Sequence, residues 1–559
     1  LTLNLGLRWE YGSPWWERNN YVSNFNPGTG TMQTLTPGFT ATTAGGPTNN
    51  GMCGTVACIA PYSGSGVFGK SLVNPNLNDW SPRFGFAAAV TPSIVVRGGY
   101  GTAFIHYWRA GSGNNIAINA PFALYSVVSN PAVGTTNGFV RLSQGFPAGL
   151  ATTFSPGTDD IDSIPTNTKD GYAESWFLDI QKGLGKNTKI DLAYVGNHGV
   201  HLQGFINANQ KNPNLPLLTA NQLFPGSPAG WQRPYMNWGG YLLNNQTTYP
   251  TFSNGDITEA LSEFHSSYNA LQARYEQRAT GGLTLLNSFT WSHALDNASS
   301  TLEANTPCPQ NGDNIEADYG QSDYNLPITN VTTLIYELPF GQGRRWLNGA
   351  NPATNAILGG WQISAVNTMD AGTPFNLTYN PASANAVSPQ LTQNWRGENL
   401  YRPNLVPGVP YTERVPALAS FTAGAPSGNP NGYVQYVNPA AIEFPATYTT
   451  GSALLTGGTI SSPFGNLPKN FGRTPAFYET DLDFNKKFNT PIERVKIEFR
   501  SELYNIFNHT NLYLPGGSGG GTASGTDSNA QNTVSALGGG QITGTFEPRI
   551  VQFGLKVTY

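Results

Sequence analysis

The sequence contains few sets of residues whose types and spacing could support catalysis. Gly516-Gly517-Ser518-Gly519-Gly520 matches the G-x-S-x-G pattern of a nucleophile elbow, in which a serine attacks a carbonyl carbon. That elbow requires a strand before the serine and a helix after it, whereas Ser518 lies within a glycine tract. No other set of acids, bases or nucleophiles converges, so we predict no catalytic residues and no enzymatic activity.

Candidate metal ligands are also isolated. His198 and His201 are spaced as H-x-x-H, but they follow a predicted strand and lack a third ligand, so a zinc site is not expected. Two acidic runs could offer oxygen ligands to Ca²⁺: Asp159, Asp160 and Asp162, and Asp313, Glu316, Asp318 and Asp323. The runs lack the glycine and terminal glutamate of an EF-hand loop, so we interpret both as solvated loops. No metal and no cofactor is predicted.

The three cysteines constrain the redox state only weakly. Cys53 and Cys58 lie close together in a Gly/Thr-rich stretch, and Cys308 lies far from both. In an oxidising compartment Cys53 and Cys58 could close a small disulfide loop, and free thiols are the alternative. Their spacing is not C-x-x-C and no histidine is near, which argues against zinc.

Composition narrows the class of protein. Charged residues make up 11% of the 559 residues, against ~25% in an average soluble protein, whereas aromatic residues reach 12%. The net charge of -4 and the scattered basic residues give no footprint for nucleic acid. No apolar run approaches the ~18 residues of a membrane helix. Few charges, many aromatics and many short extended runs indicate a β-barrel of the membrane type.

The strand pattern carries this prediction. In the first segment, side chains alternate without error between two faces. One face holds Leu1, Leu3, Leu5, Leu7, Trp9 and Tyr11, and the other holds Thr2, Asn4, Gly6, Arg8 and Glu10. A soluble sandwich could show the same alternation, but about 10 residues ending in aromatics match a tilted membrane-spanning strand better. The chain opens inside this pattern, so we expect it to be a processed product or part of a longer protein.

The connections between strands alternate in length. Short turns follow residues 90, 184, 279 and 489, and an intermediate segment covers 339–360. Long polar segments cover about 12–78, 109–171, 199–265, 296–325, 380–475 and 509–546. Short turns on one side and long loops on the other are typical of antiparallel outer-membrane barrels, in which the long loops are extracellular. We predict about 12 strands across residues 1–559, with Ala371–Pro374 as a bulge inside one long strand that continues through Phe375 and Leu377.

Charged residues concentrate on the face opposite the apolar one. We predict that this face lines the barrel lumen. The candidates are Arg8, Glu10, Arg97, Asp191, Arg274, Glu276, Lys496, Glu498, Arg500 and Glu502. Because neighbouring charges alternate in sign, the simplest interpretation is a water-facing ladder of cross-strand pairs. The functional alternative is a wall that contacts a ligand or a plug.

Several segments together resemble a known family. They are Leu3–Tyr11, Ser81–Phe104, Ile190–Leu202, Ser267–Asp296, Tyr336–Gly343, Gly359–Phe375, Asp481–Asn511 and Arg549–Tyr559. This combination resembles the C-terminal barrel part of Oar-like TonB-dependent outer-membrane receptors, the acidobacterial type with a carboxypeptidase-regulatory N-terminal domain. The resemblance implies a plugged barrel of about 22 strands, of which this chain supplies the second half. The plug, the TonB box and the first ~10 strands are not in this sequence.

The resemblance also implies partners and a location. They are the lipid bilayer of a Gram-negative outer membrane, the barrel-assembly machinery, the TonB system acting through the plug, and an unidentified solute. We therefore expect a receptor that binds and imports a scarce glycan, peptide or chelate. The alternative is a structural or adhesive surface protein that uses the barrel as an anchor and the loops as an interaction surface.

The last strand has two interpretations. Val551, Phe553, Leu555, Val557 and Tyr559 lie on one face, and the chain ends on the aromatic residue. Such a terminus resembles the signal read by the barrel-assembly machinery, since an unpaired edge strand can recruit a partner by β-augmentation. Tyr559 could instead be an ordinary member of the aromatic girdle at the membrane interface.

Replacing Tyr559 with alanine in the full-length protein separates these interpretations. If the residue is an assembly signal, the amount of protein in the outer membrane should fall sharply, while refolding in detergent stays near normal. Quantitative immunoblots of outer membranes and a detergent refolding assay measure the two effects. Small, equal losses in both assays would leave Tyr559 as an interface anchor.

Overall fold

A computed structural model describes most of the strands and parts of the long connections. It describes residues 1–14, 16–35, 59–61, 71–106, 116, 119, 122, 161–210, 217–218, 230–231, 234–235, 257–297, 299, 309–378, 402–412, 434–443, 464–489, 492, 494–512, 532–533, 541–542 and 544–559. Every structural statement below concerns these residues. None of their helices is long and apolar enough to cross a membrane.

Twelve long strands form one antiparallel path, each hydrogen-bonded to the next. They are β1 (Thr2–Glu10), β2 (Asp79–Thr91), β3 (Ile94–Ile105), β4 (Gly171–Leu184), β5 (Thr188–Asn207), β6 (Ile257–Thr280), β7 (Leu283–Asp296), β8 (Ile328–Glu337), β9 (Trp361–Asp370), β10 (Phe477–Asn489), β11 (Lys496–Tyr504) and β12 (Ile550–Thr558). The predicted antiparallel sheet of about 12 strands is confirmed. Among the described residues β1 pairs only with β2 and β12 only with β11, so both edges of the path are open.

The register aligns the apolar side chains of all twelve strands on one face. Leu5 lies opposite Phe84, which lies opposite Tyr100 in the next strand. At the other edge, Ile497 faces Val557 and Phe499 faces Leu555. Residues directly opposite each other in an antiparallel pair share a face, so this row is continuous. Its side chains are exposed, with Leu5 78% and Phe553 70% accessible, as expected of a surface that meets lipid.

The short connections follow simple turn chemistry. The backbone of Gly282 in the β6–β7 turn has a φ of +87°, and a Cβ there would lie 2.8 Å from the carbonyl oxygen of Glu337. Glycine suits this position because it adopts the left-handed conformation without strain and leaves room for the Glu337 carbonyl oxygen. The intermediate connection contains the helix α1 (Pro352–Leu358). Its N-cap Asn351 accepts a hydrogen bond of 2.8 Å from the backbone N–H of Thr354, and proline occupies the first turn, where no N–H is needed.

The bulge predicted at Ala371–Pro374 is wrong. Strand β9 ends at Asp370, and Pro374–Phe375 forms a separate two-stranded ladder with Gly472–Arg473. Gly372 has a φ of +67°, which bends the chain away from the sheet, and Pro374 has no N–H to donate to a ladder. Phe375 and Leu377 are accordingly buried above the sheet and do not extend the lipid-facing row.

The long connections contain short paired strands. They are Ser23–Asn26, Thr31–Thr34, Ile59–Pro61, Ile161–Ser163, Leu217–Leu218, Gly230–Trp231, Gly320–Gln321, Pro374–Phe375, Leu377–Thr378, Asn404–Leu405, Val434–Gln435, Ile442–Glu443, Gly472–Arg473, Asn532–Thr533 and Gln541–Ile542. Two 3₁₀ turns cover Ile315–Asp318 and Pro439–Ala441. The sequence analysis treated these connections only as polar loops, because such two- to four-residue pairings leave almost no periodic signal.

Two buried apolar clusters stabilise the long-loop side. The first outer cluster consists of Val73, Ile116, Ile164, Phe205 and Ala260. The second outer cluster consists of Phe375, Leu377, Val437 and Leu467. Both draw residues from different connections, so the long loops pack against one another and against the strand ends.

Strands β5 and β6 extend beyond the predicted boundaries. They were expected to end near residue 198 and to begin near 266, but they remain paired as far as Asn207 and Thr258. Ile161–Ser163 pairs with the β6 end in parallel and places Ser163 beside Glu259. This β5–β6 extension is buried by packing in the first outer cluster, which includes Phe205 and Ala260. Its mixed sequence shows no alternation from which this burial could be predicted.

The lipid-facing assignment can be tested at neighbouring positions of β1. Leu5 lies on the apolar face and Asn4 on the opposite one. Leu5→Arg should destabilise the folded protein by ~2–4 kcal/mol, because it places a charge near the middle of the bilayer, whereas Asn4→Arg should be tolerated. A denaturant titration in lipid vesicles measures the difference. Equal effects of the two substitutions would contradict the assignment.

The β5–β6 extension should lose stability as the pH rises. Burial, with the charge of Glu263 second, raises the pKa of Glu259 to about 7. The unfolded chain releases this proton at lower pH than the folded one, so stability is lost as the pH rises from about 5 to 8. Glu259→Gln should therefore stabilise the extension by up to about 3 kcal/mol at pH 8 and have little effect at pH 5. Limited proteolysis of both proteins at each pH measures this, with Glu337→Gln as the control. A benefit independent of pH would contradict the ionisation of Glu259 as its cause.

Candidate functional site

The polar face of the sheet carries ordered pairs of opposite charge. The register places Arg97 of β3 opposite Asp179 of β4, and Asp191 of β5 opposite Arg274 of β6. Glu276 of β6 likewise faces Lys189 of β5. We call these six residues on strands β3–β6 the charged wall. It exists because each strand alternates, so charges two residues apart fall on one face and the register then aligns them across strands.

Most of the closest ion pairs run along a strand and not across strands. Arg8 binds Glu10 at 2.6 Å, Lys189 lies 3.1 Å from Asp191, and Arg274 lies 3.5 Å from Glu276. Arg97 and Asp179 are the exception, since Arg97 Nε donates across the strands to Asp179 Oδ2 at 2.9 Å. The predicted cross-strand ladder is thus only partly correct. The cross-strand neighbours do have opposite charge, but a residue two positions along the same strand is often closer.

The charged residues around β11 have different neighbours at the two ends of the strand. Arg500 donates to Glu498 at 2.6 Å, and Glu498 lies opposite Lys487 on one side and Lys556 on the other. Glu502, in contrast, faces Asp483, so two carboxylates oppose each other toward the outer end. Lys496 lies opposite Thr558 near the short-turn side. In the short-turn half of this region, Glu498 is therefore outnumbered by basic groups, whereas the outer half carries the two opposed carboxylates.

Within the ion pairs on the polar face of the sheet, the basic partner is the more accessible one. The side-chain exposures are 48% against 9% for Arg97 and Asp179, 50% against 14% for Arg274 and Glu276, and 46% against 17% for Arg500 and Glu498. The carboxylates lie close to the backbone, and the longer cationic side chains cover them. Guanidinium donors consequently dominate the accessible surface, although charges of both signs are present.

A concavity follows the charged wall. It has a volume of about 550 Å³ and is lined by residues of β3–β7, among them Arg97, Asp179, Asp191 and Arg274. Phe177 and Gln272 add an aromatic face and an amide. Such a surface can hold a polar solute through charge-assisted hydrogen bonds and can stack a ring or an apolar group beside them.

The structure also gathers four residues that the sequence analysis did not connect. Glu10 ends β1, Asp79 begins β2, His106 directly follows β3 and Asp170 directly precedes β4. We call them the His106 cluster. His106 Nε2 lies 3.2 Å from Glu10 Oε2, while His106 Nδ1 lies 3.8 Å from Asp79 Oδ2 and 3.7 Å from Asp170 Oδ2. The sequence did contain a signal, because the long-loop ends of consecutive antiparallel strands must lie together.

The other predicted motifs have separate partners. His201 Nδ1 lies 3.2 Å from the carbonyl oxygen of Ser262, and His198 Nδ1 lies 3.6 Å from Glu174 Oε2. The interpretation of Asp318 as part of a solvated loop is wrong. It is buried and forms an ion pair with Arg402, which joins two long connections.

Asp323 also has a structural role. It accepts a hydrogen bond from Asn470 Nδ2 at 2.5 Å, and burial raises the pKa of its carboxyl above the usual value. Asp162 is buried as well, in the short strand that pairs with β6. These acids therefore help to hold the long connections together. Cys53, Cys58, Asp159, Asp160 and Ser518 lie outside the described residues.

The fold and this surface define a class of protein: an antiparallel membrane β-sheet with an apolar outer face and a charged inner one. The family model of the outer membrane beta barrel domain matches residues 1–552. The chain belongs to this family and is an outer-membrane protein. No curated protein sequence matches it.

Several solved structures are similar at low identity. The outer membrane transporter YddB from Escherichia coli is 9% identical with a TM-score of 0.37, and the alignment covers 87% of this chain and 41% of that one. The ferric enterobactin receptor PfeA from Pseudomonas aeruginosa (11%, TM-score 0.35) aligns over 87% and 40%. The siderophore receptor PirA from Acinetobacter baumannii (11%, TM-score 0.35) aligns over 87% and 41%. This chain thus spans about two fifths of the length of each.

Proposed function

We propose that this chain is the C-terminal barrel part of a TonB-dependent receptor of the Oar-like type, which imports a scarce anionic solute. The observation that carries the proposal is the charged wall, where half-exposed arginines cover the less accessible carboxylates of Asp179 and Glu276 beside a concavity of about 550 Å³. Guanidinium groups present several donors in a fixed plane, which suits carboxylate and phosphate groups. An acidic peptide, an acidic glycan or an anionic chelate has the matching chemistry.

The carboxylates beneath the arginines have a defined part in this proposal. Asp179 and Glu276 hold the guanidinium groups in place. Because these carboxylates are largely covered, the guanidinium N–H groups that face solvent remain able to donate to a ligand. A passing anion therefore meets oriented N–H donors. Since the wall contains three basic and three acidic residues, its net charge is zero, and binding stays weak enough for release, which transport requires.

The family resemblance extends the proposal to energy coupling. The resembling segments are distributed over the whole chain, and the match to the outer membrane beta barrel domain covers residues 1–552. In this proposal the rest of a barrel of about 22 strands, a plug and the TonB contact are contributed by sequence outside this chain. The barrel-assembly machinery would insert the protein through its last strand, β12.

The charged wall can be tested with a fluorescein-labelled tetraglutamate peptide and the full-length protein in detergent. The double substitution Arg97→Gln and Arg274→Gln should weaken binding at low salt at least threefold, because charge-assisted hydrogen bonds are lost. Fluorescence anisotropy measures the affinity. Arg344→Gln, near the short-turn side, is the control, and a tetralysine peptide tests the sign of the charge.

Transport is tested separately in cells. Uptake of the same tetraglutamate probe should require both the wall arginines and the proton gradient, so a protonophore should abolish it. Binding at the cell surface without gradient-dependent uptake would instead favour the adhesive alternative. In that case the two packed outer clusters would hold the long connections as a rigid interaction surface. Equal binding of both peptides by the wild type and the double variant would overturn the role of the wall.

A further inference from the structure

The His106 cluster contains three buried polar atoms that lack hydrogen-bond partners among the described residues. They are His106 Nδ1, Asp79 Oδ2 and Asp170 Oδ1. The side chain of Asp79 is 0% exposed, that of Asp170 2% and that of His106 11%. Buried polar atoms are normally paired, so three such atoms in one place require an explanation. The separations of 3.7 and 3.8 Å from His106 Nδ1 are too long for hydrogen bonds.

The surrounding residues orient the histidine. Glu10 Oε2 lies 3.2 Å from His106 Nε2, and Arg8 holds the Glu10 carboxylate at 2.6 Å. A carboxylate at Nε2 favours the proton on that nitrogen and leaves the Nδ1 lone pair facing Asp79 and Asp170. A histidine that ligates a metal typically donates its other ring N–H to such a carboxylate.

The two aspartates are also held in position. Asn76 Nδ2 donates to Asp79 Oδ1 at 2.6 Å and to Asp170 Oδ2 at 3.3 Å. This leaves Asp79 Oδ2 and Asp170 Oδ1 without a donor in the described part of the chain. Two buried carboxylates with oxygens within 4.8 Å of each other repel unless they share a cation or a proton.

We propose that His106, Asp79 and Asp170 bind one divalent transition-metal ion, for which Zn²⁺ is the natural probe, with Glu10 as the orienting residue. One atom from each of the three ligands lies within 4.8 Å of the others. Nitrogen and oxygen ligands about 2.0–2.2 Å from a tetrahedral ion lie roughly 3.3–3.6 Å apart. The distances of 3.7 and 3.8 Å from His106 Nδ1 need to shorten only slightly to reach this range. One imidazole and two carboxylates suit ions of this class, and three protein ligands leave a position for water.

Such an ion would join the outer ends of the first four strands. Its ligands come from β2, from the residue after β3 and from the residue before β4, while the orienting carboxylate ends β1. Each of these strands enters or leaves a long connection at that point. The ion would therefore fix where two long connections, β1–β2 and β3–β4, leave and rejoin the sheet.

Metal binding is tested on the full-length protein purified from outer membranes in detergent, stripped with a chelator and titrated with Zn²⁺. We expect one equivalent to bind, with His106→Ala and Asp79→Asn each weakening the affinity at least a hundredfold. Glu10→Gln should weaken it about 10–100-fold, as expected for an orienting partner. His198→Ala is the control, since that histidine contacts Glu174 elsewhere in the sheet.

A second variant avoids the ligands altogether. A Cβ on Gly12 would lie 2.7 Å from His106 Nδ1 and 2.9 Å from His106 Cγ, so Gly12→Ala should displace the imidazole and lower Zn²⁺ affinity at least tenfold. Gly6→Ala is the matched control on β1, because its Cβ would meet only Arg83 Cβ at 3.7 Å. Circular dichroism verifies that both variants retain the β-sheet. Co²⁺ absorption in the wild type reports directly on the ligand geometry.

Two results would overturn the proposal. One is the absence of stoichiometric Zn²⁺ binding by the wild type, which would mean that the aspartates share a proton. The other is binding that His106→Ala and Gly12→Ala leave unchanged, which would place the ion elsewhere.

Discussion

The antiparallel register of the twelve strands is the constraint on which the rest of the molecule depends. Every direct pair shares a face, so a shift of one residue in any strand would place its apolar side chains among the charges. The same register aligns Leu5 with Phe84 on the lipid side and Arg97 with Asp179 on the other. The lipid-facing row and the charged wall are therefore two consequences of one hydrogen-bond pattern.

This constraint explains which features the sequence revealed. Alternation over nine or more residues, as in β1 and β12, is a strong signal for a strand with two distinct faces. The series of such strands, joined alternately by short and long connections, made the strand number predictable. The break after Asp370 was missed because a glycine and a proline are equally compatible with a bulge and with a turn out of the sheet. The outer clusters were missed because their members come from separate connections whose packing has no sequence period.

The candidate site was predictable in composition but not in geometry. The alternation placed Arg274 and Glu276 on the polar face, but the preference for pairs along one strand depends on the side-chain conformations, which the alternation does not specify. The unequal exposure of cations and carboxylates follows from side-chain length: arginine extends past the shorter acid that it covers. The His106 cluster depends on strand ends that are far apart in the chain, with His106 and Asp170 separated by an entire long connection. Only the three-dimensional arrangement shows that their buried atoms face one another.

The length of β6 has a consequence for access to the barrel mouth. Its 24 residues span roughly 80 Å along the strand, or about 55 Å of height at a tilt near 45°. The hydrocarbon layer accounts for ~30 Å of that height. The hydrogen-bonded extension that β6 forms with β5 therefore projects beyond the lipid headgroups on one side of the membrane. Large molecules that diffuse along the membrane surface toward β5 and β6 would meet this extension first. Molecules that approach from solution along the membrane normal would not meet it, so the extension restricts approach from one direction only.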